Sequence, residues 1–263
     1  MINGYDIKTL FFFFFKVGIR AKRAKLFFIV SFIPAVIFII VRIVSLLKPE
    51  SHYPFSALFL QIGGVFYFQM FIQFLCLFYG SSVLTDEVDN KTLVYLTTSP
   101  VSKASIITSK FMAHTLISAV IITSGLLVSF IISNFSNLLK VVYLGRLGVF
   151  LGAALLAVLA YSSLFTLMGT FMKKSILVGL FFVFGWEAIA QFLHGATQKL
   201  TIIHYIKSLL PAGFPGTQSL LVFRLQPSST TEAIITLLFL TLLFLTVSIV
   251  IFYKKEFTLS DQD

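Results

Sequence analysis

The sequence predicts an all-α integral membrane protein with six transmembrane helices, and three observations carry that reading. Apolar residues make up 58 % of the 263-residue chain, against about 45–50 % in an ordinary soluble domain. Charged residues are 11 %, less than half of the roughly 25 % such a domain carries. Mean hydropathy is +0.98, so a water-facing shell cannot be assembled from what remains. A soluble globule, a disordered chain and a disulfide-stapled secreted module are excluded. The 32 phenylalanines suit lipid-facing surface, and the single cysteine, Cys76, cannot close an internal disulfide. A net charge of +10 would suggest nucleic acid in a soluble protein. In a membrane protein the placement of the charges matters more, and the partner expected is the lipid bilayer, with no nucleic acid.

A helix needs about 20 mostly apolar residues to cross the hydrocarbon core. Six stretches qualify: 26–47, 57–84, 111–133, 147–172, 175–193 and 233–253. Helices satisfy their own backbone hydrogen bonds in lipid, and the strict alternation of a transmembrane barrel is absent. The chain therefore reads as one transmembrane domain over 1–263. Six crossings return it to its starting side. The segments grouped with the termini (1–25, 85–110, 173–174 and 254–263) hold 13 of the 20 Lys and Arg; the other side holds six, and Arg42 lies within the first span. The excess of positive charge in short loops marks the cytoplasmic side, so both termini are expected there.

Two segments that do not span have their own patterns. At the N-terminus, five phenylalanines at 11–15 precede Lys16, Arg20, Lys22, Arg23 and Lys25. The run is too short to cross, and residues 1–25 are expected to form an interface helix with Phe toward the membrane and Lys/Arg toward anionic lipid. A cleaved signal peptide is disfavoured, because the basic cluster follows the apolar run and no small-residue cleavage site is present. Residues 195–232 form the longest connection between spans. There Pro211, Gly213, Pro215, Gly216 and Pro227 accompany an apolar stretch at 200–210, too short to cross and too apolar to float free. It is expected to re-enter the outer leaflet before the last span.

The loop between the second and third spans carries the most information. Thr85 followed by Asp86 and Glu87 is a helix-start signal, with carboxylates at the positive end of the dipole. Val88, Thr92, Tyr95 and Leu96 share a face at helical spacing, giving a short amphipathic helix. Ser99 then caps a new helix with Pro100 at its first position. That helix would run to Ser133, about 34 residues and roughly 51 Å, against a core of about 30 Å. A short amphipathic helix held off the bilayer by an overlong one is a docking device for a cytosolic partner.

Glu87, Lys91, Thr92, Leu93, Leu96, Ser99, Pro100, Val101 and Ser102, with Ser109, Lys110 and Phe111 entering the next span, resemble the signature loop of the ABC-2 type permease family. The usual form is Glu, a few polar residues, Gly-Thr-Leu, then Leu, Ser-Pro-Val-Ser/Thr-Arg and a later Lys; here Lys91 stands where Gly is common. Six spans, internal termini and a long outer segment before the last span are also similar to that family. The resemblance implies the transmembrane subunit of an ATP-binding-cassette transporter in a prokaryotic cell (inner) membrane, most often an exporter. Asp86, Glu87, Lys91, Thr92, Leu93, Leu96, Ser99, Pro100 and Val101 would then form a coupling helix seated in a separate ATPase subunit. Two ATPases, carrying ATP and Mg, and a second permease subunit, identical or different, would complete the working unit. One part stands on the residues alone: a P-loop needs Gly-Lys followed by Ser or Thr, and none of the 15 glycines precedes a lysine. The chain itself is expected to bind no cofactor and to catalyse no reaction.

The remaining candidates lie within the spans. Glu187 and His194, seven residues apart, share one helical face, and an ionisable group at membrane depth is a functional candidate because its burial is expensive. Glu187, His194 and Arg42 are the candidates for a translocation path. They also support the alternative of a stand-alone secondary transporter or channel built around an intramembrane carboxylate. Arg42 also has a bland reading, snorkelling to the outer surface. No Cys or carboxylate joins the four isolated histidines at metal-ligand spacing. Gly148 and Gly152 form a small-xxx-small pattern expected to pack a helix within the subunit, and Pro34 is expected to kink the first span.

Overall fold

The computed structural model describes residues 4–47, 58–89, 102–135, 140–172, 174–190, 195–211 and 227–254. Among these residues the regular structure is entirely helical. Five helical stretches are long and apolar enough to cross a membrane: Lys22–Leu47, Phe59–Val83, Lys103–Asn134, Val141–Phe171 and Thr230–Lys254. A sixth apolar helix, Ser175–Ala190, is shorter.

Helix α1, Gly4–Arg20, ends at Ala21, which turns extended at φ −60° and ψ 143°. Lys22, Arg23 and Lys25, expected in the interface helix, therefore open the next helix, α2 (Lys22–Val30). Helix α3, Ile33–Leu47, continues the same stretch after a break at Ser31 and Phe32. Pro34 accounts for the break, since it has no N–H to return to the carbonyl four residues back. The kink is braced: the Tyr67 hydroxyl donates to the Ser31 carbonyl at 2.7 Å and meets the Ser129 hydroxyl at 2.8 Å. Gly125 permits this approach, because a Cβ there would lie 2.5 Å from the Ser31 oxygen.

The second stretch begins with two π-helical turns, Phe59–Gly63 and Val65–Phe71, and continues as α4, Ile72–Asp89. The helix runs through Thr85, Asp86 and Glu87 without a break. These residues end a helix where a helix start was expected, so Asp86 and Glu87 fall in its last turn by backbone position.

Helix α5, Lys103–Asn134, is capped by Ser102, whose hydroxyl accepts from the Ser105 amide at 3.1 Å. With Ser102 extended at ψ 139°, the helix does not run continuously from Pro100. At 32 residues it is still about 48 Å long.

Helix α6 spans Val141–Phe171, and α7 spans Ser175–Ala190 with a π-helical turn at Phe182–Glu187. Among the described residues a 3-10 turn, Gly195–Leu200, is followed by α8, Ile202–Leu209, and α9, Thr230–Lys254. Neighbouring apolar segments run antiparallel, so the starts of α2, α5 and α7 meet the ends of α4, α6 and α9. We call this the near end and the opposite one the far end.

The core lies along α4, α5 and α6. At the near end α4 and α6 cross backbone to backbone: a Cβ on Gly80 would lie 2.7 Å from the Phe165 Cβ, and one on Gly169 would lie 2.7 Å from the Ser81 carbonyl oxygen. Farther along α6 the pattern reverses. Gly145, Gly148 and Gly152 have nothing within 4 Å of a built Cβ, so the expected packing of Gly148 and Gly152 inside the subunit is not made.

Candidate functional site

At the near end, α1 lies along the first turns of α5. Lys110, buried in α5, donates to the Val83 carbonyl at 2.8 Å and sits 4.9 Å from the centre of the Phe14 ring of α1. One turn on, His114 Nδ1 meets the Tyr79 carbonyl at 2.9 Å. The Arg23 guanidinium lies over the Tyr79 ring at 5.3 Å. Side chains from α2 and α5 thus gather on the middle of α4, at Tyr79 and Val83. Lys103 adds a contact to the last helix, donating to the Tyr253 carbonyl at 3.4 Å. Asp86 and Glu87 follow one turn after Val83 on the backbone of α4. Lys91, Thr92, Leu93, Leu96, Ser99, Pro100 and Val101 lie outside the described residues.

The far end holds a buried carboxylate. Glu187, at the end of the π-helical turn of α7, is only 1 % exposed. Its two carboxylate oxygens accept from the Ile202 and Ile203 amides at 3.1 and 3.3 Å, which are the first N–H groups of α8. Such groups have no intrahelical partner, and an anion there is favoured by the dipole. The Tyr161 hydroxyl donates to the same carboxylate and itself receives a hydrogen bond from the Gln73 amide at 2.8 Å. Glu187 therefore ties α8 to α4, α6 and α7 in one buried network. In α8, burial pushes the Lys207 ammonium down to about 8, with the charge of Glu187 pulling the other way. His204 Nε2 meets the Ser228 hydroxyl at 3.2 Å, securing α8 to the residues that lead into α9. His194, expected beside Glu187, lies outside the described residues.

Arg42 is held at the far end by the end of α5: it donates to the Ile132 carbonyl at 3.0 Å and lies 5.3 Å from the centre of the Phe135 ring. Sequence reasoning found Glu187 and Arg42 but not their partners. Lys110 was named only for its place in the signature loop, and Gln73, His114, Tyr161 and Lys207 were not connected to either network; polar residues within apolar stretches were the available signal.

The family model described as ABC-2 family transporter protein matches residues 8–257. The chain belongs to the ABC-2 transporter family. A comparison with curated proteins gave no match. Membership makes this a transporter permease, a membrane transport subunit of a kind that is generally non-catalytic. The match extends from α1 to just beyond α9, so both buried networks belong to the permease domain.

Proposed function

We propose that this chain is the six-span permease subunit of an ATP-binding-cassette exporter, with both termini in the cytoplasm of a prokaryotic cell. It works as a dimer with a second permease subunit and two separate ATPases, which bind ATP and Mg. The family match over residues 8–257 carries the reading. The loop of residues 90–101 supports it, because it hangs from two helices clamped together where Lys110 meets Val83. Closure of the ATPases would press on that loop and move α4 and α5 together, rocking the permease between inward- and outward-facing states. α7 takes the role of the fifth span, and α8 that of the re-entrant segment. Asp86 and Glu87 stand at the helix end that disfavours anions, a placement that helix stability does not explain and a cationic partner would.

The stand-alone transporter reading draws no support from Glu187 or Arg42, since the groups named above hold them to backbone atoms. The decisive experiment is purification from native membranes in mild detergent, with mass spectrometry of partners and an ATPase assay. A stoichiometric P-loop protein, lost on Glu87→Ala or Leu93→Ala while membrane insertion is kept, is the expected result. A chain that purifies alone and exchanges ions in liposomes without nucleotide would overturn the proposal.

A further inference from the structure

At the far end a cavity of about 50 Å3 opens between the π-helical turn Phe59–Gly63, the end of α5 and the start of α6. Its floor is aromatic: the Phe59 ring stands edge-on to those of Phe130 and Phe150, at 5.1 and 5.3 Å between centres, and all three side chains are buried. Its mouth is polar. Asn134 lies one turn beyond Phe130 on α5, and Arg146 one turn before Phe150 on α6; both line the cavity. The Arg146 guanidinium rests 5.6 Å from the centre of the Tyr143 ring and is exposed, while Tyr143 and Leu60 are half-buried. The two carboxylates described at this end are otherwise engaged: Glu187 holds α8, and Glu232 faces Lys199 at 3.9 Å. Among the described residues none forms a salt bridge with Arg146.

We propose that this cavity binds one anionic phospholipid of the leaflet at the far end, its phosphate on Arg146 and the upper methylenes of one acyl chain against Phe59, Phe130 and Phe150. The order of chemistry along the helices matches that of the ligand: a cation at the rim, then apolar surface one helical turn, about 5.4 Å, deeper. The volume also selects the ligand. A cavity of about 150 Å3 encloses a benzene ring, so one of about 50 Å3 grips a few methylenes and leaves the rest of the chain in the bilayer. Arg146 suits a phosphate because its guanidinium presents paired donors in a fixed fork.

The test counts lipids retained by the purified permease in native mass spectrometry after exposure to phosphatidylglycerol or phosphatidylcholine vesicles. It needs neither an ATPase nor a transported substrate, so its failure is separate from failure of the transport reading. Wild type is expected to retain a phosphatidylglycerol that phosphatidylcholine does not replace. Arg146→Gln, at an exposed position that does not threaten folding, should weaken that retention about fivefold, the factor one basic residue contributes near an anionic surface. Lys140→Gln, also exposed at this end but outside the cavity lining, should leave it intact. Leu60→Trp, which fills the mouth, should remove one lipid without lowering the melting temperature. An unchanged count in both Arg146→Gln and Leu60→Trp, or equal retention of the two lipids, would overturn the proposal.

Discussion

The two ends of this bundle each seat a buried ionisable side chain on backbone, Lys110 at one and Glu187 at the other. At the near end Lys110 and His114 lie on the Val83 and Tyr79 carbonyls, inside α4; at the far end the Glu187 carboxylate lies on the first amides of α8. Backbone dipoles supply the counter-charge in both places, so neither end depends on a buried pair of side chains alone. The ends differ in how tightly they are packed. Gly80 and Gly169 bring α4 and α6 into backbone contact at the near end, while Gly145, Gly148 and Gly152 stand open on the far half of α6. The near end is built as a rigid clamp, and the far end is a frame to which a separate short helix is fastened.

Substitutions can break each half of this comparison. Gly80→Val should have the largest effect, because its side chain would meet the backbone of Phe165 and Thr166 within 3.0 Å. Overpacking of that kind costs about 3 kcal/mol, read as loss of a monodisperse peak in size-exclusion chromatography. Glu187→Ala should follow, at about 2 kcal/mol, since it strands buried amides without an acceptor. The protein's single tryptophan, Trp186, adjoins that site, so a change in its emission spectrum and a lower melting temperature should appear together. Tyr67→Phe removes a hydroxyl shared by Ser31 and Ser129 and should cost about 1 kcal/mol, seen as a modest drop in melting temperature. Gly148→Ala should change stability by no more than about 0.5 kcal/mol, and a large effect in the isolated subunit would contradict the open face described for α6.

The hydropathy pattern made the apolar helices legible, but not where they begin and end. Ser99 and Ser102 are equally good caps by residue type, and it is the side chain of Ser102 that accepts from the first turn of α5. Thr85, Asp86 and Glu87 spell a helix start, yet no Pro precedes them in α4 and Gly80 is spent on the close approach to α6, so the helix already running continues through them. The π-helical turns at Phe59–Gly63 and Val65–Phe71 have no local signature at all. Glu187 was legible as unusual, whereas its role depends on amides 15 and 16 residues onward and on Tyr161 in another helix. Arg42 was expected to reach toward the outer surface, and its donation to a carbonyl 90 residues away is a tertiary fact that spacing cannot encode.

The Glu187 network also sets an order of events during synthesis. The carboxylate leaves the ribosome 15 residues before Ile202, the first of its two amide partners. At about 5–20 residues per second, that gap lasts roughly one to three seconds. Tyr161 and Gln73 come from upstream segments, so they are already made and are the partners on hand while α7 settles. The short helix then docks onto a receptor that earlier parts of the chain have assembled. The receptor for α8 is thus made before α8 itself, and α9, which runs back to the near end, is made after both.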